Sequence, residues 1–150
     1  MPIRITQKDR DNEAMVAKKL ENCLGITVEH SGDMDEYDFI LYEGNKAIAL
    51  AELKTRYNDS DKYPTVFLEK HKRDFLEQKC QEINDTHDDK SNHLVPVFLV
   101  QFDDVLMWIQ LGASLNFGRP RIAGTKKRGD PRDMDRIYFV PIDQMMKVCD

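Results

Sequence analysis

The sequence predicts an α/β fold, a single domain over residues 1–150 with a central mixed sheet flanked by helices. Three observations carry this prediction. Apolar residues recur at helical spacing in two stretches, Lys8 to Cys23 and Leu68 to Asn84. Residues Tyr37 to Lys54 alternate at strand period around Gly44-Asn45, a hairpin signal. Leu94 to Phe102 (Leu-Val-Pro-Val-Phe-Leu-Val-Gln-Phe) is a near-continuous apolar run, as expected of a strand buried on both faces.

The first helix aligns Val16, Ala17, Leu20 and Leu24 on one stripe and stops at Gly25. Glu13 falls at the N-terminal end of that stripe. It is either a carboxylate favoured by the helix dipole and partly solvated, or an acid that binds a cation. Ile26 to His30 reads as a strand, and Ser31-Gly32-Asp33 is turn chemistry. In the hairpin, Asp38, Ile40 and Tyr42 share one face. On its second strand Ile48, Leu50, Glu52 and Lys54 share a face, with Ala47, Ala49, Ala51 and Leu53 opposite. The alanine face suits close approach of the first helix.

Register makes the hairpin testable. With Gly44-Asn45 alone as the loop, Asp38 would pair with Ala51 and point away from Glu52. An odd loop or a compensating bulge brings Asp38 opposite Glu52. The two acids can share a metal only in the second arrangement.

Thr55 to Pro64 reads as a polar loop containing Arg56, Tyr57, Lys62 and Tyr63. The second helix places Leu68, Phe75, Leu76 and Ile83 on its apolar side, with Lys72 and Lys79, whereas Lys70 and Arg73 project elsewhere. The bland reading of each lysine is a solvated amine on an apolar stalk. Asp85 to His93 is a solvated connection, and Val105 to Leu111 forms a hairpin with the preceding apolar strand across Asp103-Asp104. Phe117 to Arg136 reads as an irregular basic excursion. Ile137 to Pro141 is a strand, and Ile142 to Val148 is expected to be a short helix.

Composition bounds the function. A chain of 150 residues that is 41% hydrophobic and 33% charged is an ordinary globular protein, long enough for a real core. No apolar run approaches about 18 residues, and Met1-Pro2-Ile3-Arg4 lacks the apolar core of a signal peptide. A cytoplasmic location with no membrane span is the expectation. Cys23, Cys80 and Cys149 are scattered, which suits reduced thiols and shows no metal-ligand spacing. The net charge is −5, yet Arg119, Arg121, Lys126, Lys127, Arg128, Arg132 and Arg136 face only Asp130, Asp133 and Asp135 within their segment. That segment carries +4 and leaves −9 elsewhere. The four histidines form no HxH or HxxxH pair, and no Gly-rich phosphate loop or Gly-x-Ser-x-Gly elbow is present.

The order of elements, with Asp38 beginning one strand and Glu52-Leu53-Lys54 closing the next, resembles the PD-(D/E)XK nuclease superfamily and its restriction-endonuclease-like αβββαβ core. The resemblance covers roughly Glu13 to Phe102, and the layout is that of small phage nucleases, resolvases and recombination exonucleases. Tyr37 stands where many members have proline. The resemblance implies that Asp38 and Glu52 bind Mg²⁺ (with Mn²⁺ as substitute), that the Leu53 carbonyl and Glu13 supply further ligands, and that Lys54 assists the nucleophile. Hard oxygen donors, one or two of them carboxylates, are what Mg²⁺ takes from a protein. Lys72, with Lys70 as its substitute, is the implied phosphate contact at the start of the second helix. Arg56, Arg119, Arg121, Lys126, Lys127 and Arg128 are the remaining candidate nucleic-acid contacts, sequence-independent in kind.

The expected activity is therefore a Mg²⁺-dependent DNA nuclease, structure-selective or exonucleolytic, with a homodimer as one way to cut two strands. The alternative is a non-catalytic nucleic-acid-binding or assembly module on the same fold. In that case the hairpin acids are an edge-strand Asp and a solvated Glu-x-Lys pair.

Overall fold

In the computed structural model, residues 7–31, 37–86, 93–112, 117–124 and 134–149 are described. The turn residues Gly32 and Asp33 and the cations Lys126, Lys127, Arg128 and Arg132 lie outside them. The elements run α1 (Gln7–Leu24), β1 (Thr27–His30), β2 (Phe39–Glu43), β3 (Lys46–Thr55), β4 (Thr65–Glu69), α2 (Lys70–Asp85), β5 (Val95–Gln101), β6 (Leu106–Gln110), β7 (Arg121–Gly124), β8 (Met134–Pro141), a short 3-10 turn (Ile142–Gln144) and β9 (Met146–Lys147). Six strands form a mixed sheet in the order β1-β2-β3-β5-β6-β9, and β4, β8 and β7 form a second, smaller sheet in that order. Among the described residues no helix is long and apolar enough to cross a membrane. This is the α/β architecture of the restriction-endonuclease-like fold.

The centre of the large sheet is β3 beside β5, the parallel pair, whose connection runs through β4 and α2. β5 is buried over six of its seven residues, because helical and small-sheet material cover it on both sides. On one face Val16, Ala17 and Leu20 of α1 pack against Phe39, Ala49, Ala51 and Leu99. On the other, Leu76 and Cys80 of α2 join Val66, Leu68 and Val140 of the small sheet against Leu50, Phe98 and Val100. The alanines do admit the first helix closely.

The hairpin combines both possibilities weighed from its sequence. Glu43 pairs with Lys46, so Gly44-Asn45 is the whole loop, and Gly44 takes the positive φ of 62° that such a turn requires. Tyr42 pairs with Ala47 but Leu41 with Ala49, leaving Ile48 as a bulge. Above the bulge Phe39 pairs with Ala51, which carries Asp38 on to Glu52. The extra residue also corrects the expected faces at the loop end. Ile48 packs on the α1 side with Ala49, and Ala47 packs on the α2 side.

Four other expectations are corrected. Leu68 belongs to β4, and α2 starts two residues later at Lys70. The segment read as an irregular excursion contains β7 and the first three residues of β8. The expected terminal helix is the 3-10 turn and β9, which pairs Met146 with Trp108 at the edge of the large sheet. Cys23 and Cys149 are joined as a disulfide across a sequence separation of 126, leaving Cys80 as a buried free thiol. Chain distance hid this pair, since the end of α1 and the strand edge at β9 meet only in the folded molecule.

Candidate active site

Strand alternation turns Leu50, Glu52 and Lys54 away from α1 and toward α2 and β4. Asp38 lies just before β2, and its carboxylate does work the ladder leaves undone: Leu53 N–H donates to Asp38 Oδ2 at 2.7 Å. Glu52 is only 5% exposed. Burial, and then the neighbouring Asp38 charge, push its carboxyl up to about 8, with Lys72 opposing them. Lys72 Nζ stands 3.0 Å from Glu52 Oε1 and 3.8 Å from Glu69 Oε2.

Glu69, the last residue of β4, closes the cluster. Lys54 Nζ donates to its Oε1 at 2.6 Å. Burial alone would raise the Glu69 carboxyl, but Lys54 and then Lys72 overcome it and hold the pKa below the usual glutamate value. Burial draws Lys54 below its ordinary value despite that partner, while for Lys72 burial is outweighed by Glu52 and Glu69 and its pKa is raised. Ammonium and carboxylate groups thus alternate from Glu52 through Lys72 and Glu69 to Lys54.

Glu69 falls inside the helix that the sequence predicts from Leu68, and so is not among the predicted site residues. The available signal was the run Thr65-Val66-Phe67-Leu68, β-prone and alternating, which ends on an acid just where the helix begins. Reading also expected Arg73 off the apolar side. It is buried, with its guanidinium carbon 5.0 Å from the Phe117 ring and 4.9 Å from the Tyr138 ring, and it donates to Glu77 and to the Gly112 carbonyl.

The structure brings Asp38, Glu52, Leu53, Lys54 and Lys72 together. It does not bring Glu13 to them. Glu13 Oε2 stands 3.9 Å from His30 Nδ1, and His30 packs edge-on against Phe39 on the α1 side of the sheet. Helix α1 covers the alanine face, so its acids approach from the side opposite Glu52. Lys70 pairs with Asp74 one helical turn on. Arg56 is half-buried with its guanidinium carbon 5.9 Å from the Phe67 ring; Arg119 and Arg121 are exposed, and Arg121 lies 5.0 Å over Phe139.

Among the described residues no group of three or more His, Cys, Asp and Glu side chains is arranged as a metal cluster. The site still fits a hard divalent cation of the Mg²⁺ kind, which needs few protein ligands and keeps several waters. Asp38 and Glu52 are adjacent carboxyl groups, and burial and then the Asp38 charge make Glu52 reluctant to ionise. Glu69 Oε2 is buried and without a hydrogen-bond partner among the described residues.

No curated protein matches the sequence. The family described as Phage putative PDDEXK endonuclease matches residues 2–148, and divalent metal ions are the general requirement of PDDEXK nucleases. With nearly the whole chain matched and the fold in agreement, the protein belongs to this phage PDDEXK endonuclease family, a family of nucleases.

Proposed function

We propose that the protein is a Mg²⁺-dependent DNA nuclease, with Mn²⁺ as substitute, that acts in the cytoplasm on ends or structured sites in DNA. The observation that carries this reading is the bulged register that sets Asp38 opposite Glu52, with Lys54 one step further along the same face. Asp38, Glu52 and the Leu53 carbonyl would hold the ion. When bound, the cation supplies a water of lowered pKa and positive charge for the phosphate oxygens.

The remaining work falls to side chains. Asp38 fixes the Leu53 peptide through its N–H, and so fixes the strand between Glu52 and Lys54. Lys54, held at Nζ by Glu69, can hydrogen-bond the attacking water or a phosphoryl oxygen, and its lowered pKa eases proton exchange there. Lys72 stands 3.0 Å from Glu52 in the metal-free protein and lies within the cluster to contact phosphate. Lys70, Arg56, Arg119 and Arg121 would bind the flanking strand by charge, with Lys126, Lys127 and Arg128 following β7 in sequence. Two strands to cut favour a homodimer, to be checked by sedimentation.

The Lys72–Glu52 pair is also what favours the second reading, a binding module in which an ammonium permanently takes the cation's place. A panel of linear duplex, single-stranded and branched DNA, with RNA beside it, separates the two. The nuclease degrades part of the panel with Mg²⁺ or Mn²⁺ and none of it with a chelator. The module binds in a salt-sensitive, metal-indifferent way and cuts nothing.

A further inference from the structure

The small sheet turns one face away from the core. Val66, Leu68 and Val140 point inward and are buried, while Phe67 between the first two is 44% exposed. Phe67 and Phe139 are cross-strand partners with ring centroids 5.2 Å apart and planes at 81°. Arg56 lies over the first ring and Arg121 over the second. No described carboxylate stands at ion-pair distance from either guanidinium. An arginine that stacks its plane on a ring keeps its N–H edge for a bidentate acceptor such as phosphate.

Beside Phe67 opens a cavity of about 410 Å³, with Arg56, Asn58, Tyr63, Thr65 and Phe102 also in its walls. That is the size class of sites for small aromatic ligands. Its position ties it to the candidate active site. Arg56 follows Lys54 by two residues and Phe67 precedes Glu69 by two, so both walls lie one strand repeat, roughly 7 Å, from the Lys54–Glu69 pair. The one acid in that row, Glu69, is already held by Lys54.

We infer that this face and cavity bind unpaired DNA. The nucleotide next to the scissile phosphate places its base in the cavity against Phe67 and Tyr63, and Arg56 and Arg121 hold that strand's phosphates. A base inside a duplex hides both faces in the stack, whereas an unpaired base offers them to aromatic rings. The inference rests on the nuclease reading and adds its substrate class: DNA with unpaired nucleotides adjoining the cut, at an overhang, flap or gap. An acidic protein partner would use the arginines but not the cavity beside the site.

The test is binding in a chelator, so that cleavage is not needed to read it. In Phe67→Trp a thymidine oligonucleotide quenches the new tryptophan and a blunt duplex of equal length does not. Phe67→Ala weakens oligonucleotide binding about tenfold or more and leaves duplex binding unchanged, and Phe67→Tyr restores it. If Phe67→Ala does not fold, the Phe67→Trp signal decides alone. Equal affinity of both DNA forms for Phe67→Ala and wild type, an unquenched Phe67→Trp at saturating oligonucleotide, or equal quenching by a polyglutamate peptide overturns the inference. Mg²⁺-dependent cutting of an overhang or flap substrate at one rate in wild type and Phe67→Ala overturns this inference and spares the nuclease reading. Oligonucleotide quenching without cleavage of any DNA does the reverse.

Discussion

Glu52 sits between a carboxylate that repels its charge and a lysine that accepts it, and this sets a pH dependence with a definite sign. Its carboxyl ordinarily titrates near 4.5 and is pushed up to about 8 by burial and then Asp38. Between those values the folded protein keeps a proton that the unfolded chain releases, so stability falls as pH rises through the window. The penalty is complete above it, on the order of a few kcal/mol. Glu69 has the opposite sign, with stability present above its ordinary value and lost as pH falls through its lowered one, so the two do not compete near neutrality. The metal-free protein is expected to melt progressively lower from pH 5 to 8.5 in buffers matched for ionic strength, and Glu52→Gln is expected to flatten that slope. Glu69 acts through Lys54: Glu69→Gln is expected to cost roughly 10- to 100-fold in kcat, the range for a side chain that orients another, with little change in KM. Glu13→Gln, on the α1 side of the sheet, should cost far less than Glu52→Gln in the same steady-state assay. Glu52 and Lys54 were legible because strand parity puts them on one side, and Asp38 because the hairpin could align it with them only through an odd loop or a bulge. Glu69 was not, since its partner Lys54 is 15 residues away along the chain and its own strand was absorbed into the helix.

At the scale of elements, long periodic segments declared themselves and short ones did not. Helix α1, the hairpin and β5 carry their period over many residues, so local pattern and final environment agree. β4, β7 and β9 are five, four and two residues long. Their pairing depends on strands far off in sequence: β4 finds β8 some seventy residues on, Val66 beside Val140. Local alternation announces β4 only over Thr65 to Leu68, and β7 and β9 are too short to show one. The bulge at Ile48 was foreseen as one of two ways to align the acids, and the loop itself could not decide between them. The disulfide is likewise a long-range feature. In oxidising buffer, Cys149→Ser is expected to lower stability by roughly 2–4 kcal/mol relative to wild type, and reduction of the wild type should reproduce the loss in a denaturant titration. Equal midpoints for oxidised and reduced protein would show that the bridge holds nothing the core does not.

For the whole molecule, the two sheets divide the labour. The large sheet, covered by α1 on one face and by α2 with the small sheet on the other, fixes the acids rigidly at its centre. The small sheet delivers Glu69 to them and leaves an aromatic and arginine face beside them. Net charge is uneven along the sequence, +4 from Arg119 to Arg136 and −9 elsewhere. Family membership and geometry meet at one residue, and the most direct measurement is made there. Wild type and Glu52→Gln, purified identically and shown to melt alike at acidic pH, are incubated with the DNA panel and Mg²⁺. The wild type is expected to cut at least one substrate in a chelator-sensitive way, and Glu52→Gln to lose that activity by about 100-fold or more. Undiminished metal-dependent cleavage by Glu52→Gln would contradict the assignment of this hairpin as the active site.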